Sequence, residues 1–265
     1  MEQAKRIVVV TGGNKGIGLE ICRQLASNGI MVILTARDEK CSLEVVENLK
    51  ACELSDILFH QLEVTDQTSI ASMADFIKNK FGKLDILVNN ARISGSVIDK
   101  EAQKRQNLIV SSNAKSKKFI EQSYEMGEAC LGKNYYGVKL FALNEKAKKE
   151  LSDSDSLIEE KVEEVLKRYL EDLKEDLLET KGWPVNCSTY IMSKAALNAY
   201  TRVLAKKYPN IAINAVAPGF VKTYLTYHRG ILTVEQGAKG PVMLALLPNS
   251  GPSSLFYDQM EVSTF

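Results

Sequence analysis

Apolar residues fall into two rhythms along this chain. Residues 7–10, 31–35, 57–62 and 84–88 are short, nearly continuous apolar runs. Such runs fit strands covered on both faces, as in a parallel sheet. Between them, residues 16–28, 39–50 and 67–80 carry apolar side chains at helical spacing. Asp38 and Asp66 stand just ahead of two of these stretches, where a carboxylate caps a helix N-terminus. Strand, helix, strand at this rhythm predicts βαβ units with right-handed crossovers.

The middle is less regular. Residues 94–118 are polar and lysine-rich and predict loop with short helical pieces, and 117–149 predict mostly helix. Residues 156–180 form a clear amphipathic pattern, with Val162, Val165, Tyr169 and Leu173 among its apolar positions. That is the signature of a packing helix. The last third predicts a helix over 189–207, a strand over 211–216, a break at Pro218–Gly219, a helix over 233–247 and a short strand over 254–257. No internal repeat interrupts this order, and residues 1–265 predict a single α/β domain.

Composition removes several classes of function. Lys and Arg number 34 against 33 Asp and Glu, for a formal charge of +1. Nucleic-acid and membrane-surface partners call for a basic excess, which is absent. The five cysteines (Cys22, Cys41, Cys52, Cys130 and Cys187) are scattered, with no C-x-x-C pair. They read as reduced thiols of a cytosolic protein. The two histidines, His60 and His228, are far apart, so no metal is expected. The apolar run at 7–10 is too short for a signal-peptide core. No stretch approaches the ~20 apolar residues that span a bilayer. A cytoplasmic location follows as the expectation.

Candidate chemistry begins at Thr11-Gly12-Gly13-Asn14-Lys15-Gly16-Ile17-Gly18, directly after the first strand and at the start of the first helix. Glycines there let backbone approach a pyrophosphate, and the helix N-terminus supplies N–H donors. Gly12, Asn14, Lys15, Gly16, Ile17 and Gly18 are therefore candidate cofactor residues in a Rossmann-type, doubly wound parallel sheet flanked by helices. The second strand ends Leu34-Thr35-Ala36-Arg37. An acidic residue at that end takes the ribose 2′-hydroxyl of NAD, and an arginine accommodates a 2′-phosphate. Arg37, with Lys15 as a second cation, points to NADP(H). Asp38 sits one step later and suits the helix cap.

The glycine loop, Asn89-Asn90-Ala91, Tyr190-Ile191-Met192-Ser193-Lys194 and Pro218-Gly219 occur in this order over residues 6–223. Together they resemble the short-chain dehydrogenase/reductases. Phe81 to Ala91, Asn134-Tyr135-Tyr136-Gly137, Lys181-Gly182-Trp183-Pro184 and the tail Ala245-Leu246-Leu247-Pro248 narrow this to the plant salutaridine reductase and menthone (neomenthol) reductase group. That resemblance implies NADPH-dependent reduction of a ketone to an alcohol, reversibly, on an apolar metabolite such as a monoterpene or alkaloid. It assigns Tyr190 as acid/base. Lys194, four residues on and on the same helix face, lowers the phenol pKa and holds the nicotinamide ribose. It assigns Asn134 to a water linked to the lysine, Asn90 to the cofactor-side loop, Glu63 and Val64 to the adenine side, and Val221 and Thr223 to the nicotinamide amide. Residues 156–180 resemble the insert that covers the pairing face in the carbonyl-reductase-like branch, which implies a monomer whose partner is a small ketone or alcohol. C=C reduction is a third possibility, disfavoured because a carbonyl oxygen is what needs the tyrosine proton.

Two departures stand against this pattern. Arg92 occupies the position where the family has a glycine after Asn-Asn-Ala, and glycine serves close approach or positive φ. Residues 140–155 are charged and helical in pattern, where relatives carry an apolar strand ending in the serine that orients the substrate carbonyl. A segment of about 30 residues is missing, the size of a helix end, a strand and a loop. A central strand and the catalytic serine go with it, and Ser152, Ser154 and Ser188 are not favoured as replacements. Loss of a carbonyl-orienting donor costs roughly 10²–10³ in rate. The alternative function is therefore a catalytically impaired NADP(H)-binding isoform or paralogue that serves as a regulator or partner.

Overall fold

A computed structural model describes residues 5–92, 97–98, 120–121, 130, 157–184, 188–248 and 250–264. The chain divides into two compact units, Met1–Arg92 with Tyr208–Thr264, and Ile93–Lys207 with Phe265.

The first unit is built on a four-stranded parallel sheet of β1 (Ile7–Thr11), β2 (Met31–Ala36), β3 (Ile57–Gln61) and β4 (Ile86–Val88) in the order β3-β2-β1-β4. Every residue of β1 is buried, as the unbroken apolar run requires of a strand covered on both faces. Three helices return the chain between these strands: α1 (Gly16–Ser27), α2 (Glu39–Ala51) and α3 (Gln67–Phe81). The Asp38 carboxylate accepts from the Cys41 N–H and the Asp66 carboxylate from the Thr68 N–H, so both expected caps are in place. One face of the sheet packs Val8, Val10, Val32, Leu34 and Ile57 against α1, and the other packs Val9, Ile33, Leu62 and Met73 with α3.

A second sheet in this unit joins β7 (Ala215–Ala217), β8 (Phe256–Asp258) and β9 (Glu261–Ser263), with β7 and β8 parallel and β9 antiparallel. The helix α6 (Val234–Leu246), capped by a Thr233 and Gln236 box, packs against α1, β4 and β7. The Arg6 guanidinium donates to the Ala245 and Leu247 carbonyls, at 3.0 and 3.4 Å, and so ties the approach to β1 to the end of this helix. Among the described residues β4 pairs only with β1, and its Leu87 is 53% exposed. That exposure is unusual for an apolar residue of a central strand, which pairs on both edges.

The strand expected over 211–216 is shorter than the sequence suggests. Ile213 and Asn214 bond to side chains and carbonyls of the neighbouring segment instead of a ladder: Ile213 N–H donates to Ser253 Oγ, and the Asn214 amide donates to the Pro252 carbonyl. Asn214 Oδ1 also accepts from Leu255 N–H.

In the second unit, β5 (Val97–Ile98) and β6 (Ile120–Glu121) form a short antiparallel ladder. The amphipathic helix α4 (Glu159–Lys174) is shorter than the periodicity predicts, because Asp176 turns left-handed at φ 56 and stops it. It packs on α5 (Ser188–Lys207) through Val162, Val165 and Tyr169 against Met192, Ala195, Ala196 and Ala199. Most of the helix expected over 117–149 lies outside the described residues. No helix among those described is long and apolar enough to cross a membrane.

Candidate active site

The glycine turn is held from the β2 side and from the β4 side. Gly12 and Gly16 have positive φ, 64 and 57. The Gly13 N–H donates to the Thr35 carbonyl at 2.9 Å, which binds the turn to β2. Asn90 closes it from the β4 side: its amide donates to the Thr11 and Gly12 carbonyls at 2.9 and 3.1 Å. Thr11 Oγ1 accepts from the Asn90 and Ala91 N–H groups at 2.9 and 3.0 Å. Asn90 thus acts through the loop it latches. A Cβ at Gly18 would drive into the Gly12 carbonyl oxygen and the Asn90 amide. Lys15 is the N-cap of α1 and makes no side-chain cap hydrogen bond, so the first-turn N–H groups face no acceptor from it.

Asn14 is half-buried in the turn, and the Ile17 side chain lies in the core at 5% exposure. Arg92 is not among the non-glycine residues with positive φ. The loop therefore does not impose on Arg92 the left-handed backbone that a glycine would be needed for.

Arg37 follows β2, and its carbonyl accepts from the Gln61 amide at 2.8 Å. Its guanidinium stands 3.6 Å from the Glu63 carboxylate. Asp38 is engaged as the α2 cap: the Cys41 N–H holds its carboxyl below the usual carboxylate range. The Val64 side chain packs with the core cluster of Ile7, Val9 and Ile33. Val221 is likewise a core side chain at 1% exposure, and its carbonyl accepts from Thr226 Oγ1. Thr223, buried at the start of a short 3₁₀ turn (Tyr224–Thr226), lies against Gly16, so the region after Pro218–Gly219 meets the glycine turn. The Lys15 ammonium lies 5.9 Å from the centroid of the Tyr224 ring.

In the second unit, one turn of α5 sets Lys194 against Tyr190, with Nζ 5.6 Å from the ring centroid. Lys194 is 4% exposed and Tyr190 is half-buried. Ser193 Oγ donates to the Tyr190 carbonyl at 2.7 Å. The start of α5 is held by Tyr169, whose hydroxyl bonds Ser188 Oγ and Thr189 Oγ1, each at 2.8 Å. Burial pushes the Tyr169 phenol above its ordinary value, so this tyrosine stays neutral and serves as an anchor. Asn134 lies outside the described residues.

Tyr169→Phe removes one hydrogen-bond partner from each of two buried hydroxyls. A cost of about 1–3 kcal/mol is expected. Thermal and urea melts of the variant check it, and unchanged melts would mean that Ser188 and Thr189 do not depend on the phenol.

Comparison with known proteins decides the family. The short chain dehydrogenase model matches residues 6–117. The chain is 48% identical to short-chain dehydrogenase/reductase 1 of Saponaria officinalis, over 98% of this chain and 96% of that protein. This chain belongs to the short-chain dehydrogenase family. Among its family relatives, (+)-neomenthol dehydrogenase of Arabidopsis thaliana is 46% identical over all of this chain and 99% of its own. The solved structure of salutaridine reductase from Papaver somniferum superposes with a TM-score of 0.87 at 42% identity, covering 96% of this chain and 99% of that one. The Rossmann-type fold of the family is therefore shared. The alignment with the Saponaria protein runs over 295 positions against a chain of 265, so at least 30 positions find no residue here. That equals in length the segment read as missing from the sequence.

Three features escape sequence reasoning: the roles of Thr11 and of Tyr169, and the pairing of Glu63 with Arg37. Thr11 carries a faint signal as the polar residue closing an apolar strand. The other two depend on through-space contacts.

Proposed function

We propose that this chain is an NADP(H)-dependent reductase that converts a ketone of a small apolar molecule, of monoterpene or alkaloid type, to an alcohol, reversibly. The observation that carries this reading is the Tyr190–Lys194 pair, a half-buried phenol with a buried ammonium 5.6 Å from its ring centre. The names of the relatives support the substrate class: one is a neomenthol dehydrogenase and another a salutaridine reductase.

The residues present fit a dinucleotide. Gly12 and Gly18 let the turn close against Ala91 and Asn90 where a Cβ would not fit, and α1 opens without a side-chain cap. When bound, the reduced nicotinamide supplies the hydride. Glycine-loop N–H groups would hold the pyrophosphate, and Arg37 with Lys15 would meet the 2′-phosphate. The Tyr190 hydroxyl gives its proton to the carbonyl oxygen as negative charge develops there. The Lys194 charge stabilises the phenolate left behind. Asn134 and Thr223 complete the reading as water-holding and amide-side residues. The packing of α4 across α5 occupies apolar surface of α5 and supports a monomer.

A second reading has its own observation. The outer edge of β4, which pairs with no strand among the described residues, and the exposed Leu87 favour a chain that binds NADP(H) without turning over. The test is a fluorescence titration with NADPH and NADH, followed by NADPH consumption with menthone and related ketones. NADPH-selective binding with turnover supports the reductase. Selective binding without turnover supports the second reading, and absence of binding overturns both.

A further inference from the structure

A carboxylate stands beside the side chain assigned to the 2′-phosphate. Glu63 lies two residues beyond β3, and its N–H donates to Ser69 Oγ at 3.0 Å. Glu63 Oε1 accepts from the Thr65 N–H at 3.2 Å and from the Thr65 hydroxyl at 2.9 Å. Its other oxygen faces the Arg37 guanidinium at 3.6 Å. The carboxylate is thus anchored by its own turn. The Arg37 side chain is 65% exposed and held to Glu63 at ion-pair distance, longer than a hydrogen bond.

Two consequences follow from charge. A 2′-phosphate and the Glu63 carboxylate compete for one guanidinium. A carboxylate near this guanidinium is also the group that accepts from the unmodified ribose 2′-hydroxyl of NAD(H). In the usual arrangement it comes from the end of β2. Here the acidic residue at that end, Asp38, is occupied by the α2 cap.

We propose that Glu63 sets the dinucleotide preference of this chain: it restrains Arg37 and so narrows the advantage of NADP(H) over NAD(H). This rests on the NADP(H) reading above and adds the residue that tunes it.

The test uses Glu63→Gln, which keeps the side-chain length and the oxygen toward Thr65 while removing the charge. NADPH and NADH dissociation constants are measured by fluorescence for the whole chain, in wild-type and Arg37→Ala backgrounds. NADPH binding is expected to tighten about two- to fivefold, the range of a partly exposed ion pair. NADH binding stays constant or weakens, so the ratio rises. In the Arg37→Ala background the gain disappears, which a merely structural role for Glu63 would not produce. A ratio that is unchanged or lower, or a gain that persists without Arg37, overturns the proposal. Failure of the cofactor reading looks different: the wild-type chain then shows no preference for NADPH, and Arg37→Ala changes neither constant.

Discussion

Gly18→Val is expected to weaken NADPH binding by about 100-fold or more while the chain still folds. The added side chain meets backbone and a fixed amide: its first carbon would lie inside the Gly12 carbonyl oxygen and the Asn90 side chain. Neither neighbour yields easily. Asn90 is committed to the Thr11 and Gly12 carbonyls, and the adjoining turn is bonded to β2 through Gly13. Overpacking of about 3 kcal/mol concentrated on the turn proposed to hold the pyrophosphate corresponds to about a hundredfold in affinity. The matched control is Gly29→Ala. Gly29 has positive φ, 73, and a Cβ there meets nothing within 4 Å. That variant strains the backbone and lowers the melting temperature, yet it leaves NADPH binding alone. Titration of both variants beside their melts separates a broken site from a weakened fold. Near wild-type binding by Gly18→Val would remove the glycine turn from the cofactor site.

Which parts were legible follows from the range of the forces involved. β1 and β2 come out of the sequence to within a residue, because burial on both faces forces an unbroken apolar run. Asp38 and Asp66 are legible because a cap is a bond spanning two or three residues. Arg37 is placed by its position after β2. The hairpin of β8 and β9 is harder to read. Its β9 is largely exposed, and its turn uses Gln259 at φ 58 in place of the glycine or asparagine that would announce it. The early end of α4 is hidden for the same reason, since Asp176 takes the left-handed conformation without being a glycine. The site shows the same division. The glycine turn and the Tyr190–Lys194 spacing are local patterns. The Thr11–Asn90 latch spans 79 residues and the Arg37–Glu63 pair joins the ends of two strands, so only the fold reveals them.

Tyr190→Phe is expected to lower ketone reduction by about 10²–10⁴-fold and to leave NADPH affinity within about twofold, well under the 1.4 kcal/mol that changes it tenfold. The variant removes one oxygen and keeps the ring that lies beside Lys194, so the local packing of α5 is preserved. The loss falls on kcat, because the proton is needed only as the carbonyl oxygen gains charge. Lys194→Met is expected to behave differently. It removes a buried charge at 4% exposure, and with it both the stabilisation of the phenolate and a contact proposed for the nicotinamide ribose. Its effect therefore appears in kcat and in NADPH affinity together. Steady-state kinetics with a monoterpene ketone, beside equilibrium titration of each variant, read the two patterns apart. Retained turnover by Tyr190→Phe would move proton donation to another group. The carbonyl-orienting role that the resemblance gives to a serine has no residue assigned to it among the described ones, so the wild-type rate measured in the same experiment has its own meaning. If it is low but still abolished by Tyr190→Phe, the tyrosine still donates the proton in the slow reaction. If both proteins bind NADPH and neither consumes it, the pair is intact in geometry and idle in chemistry.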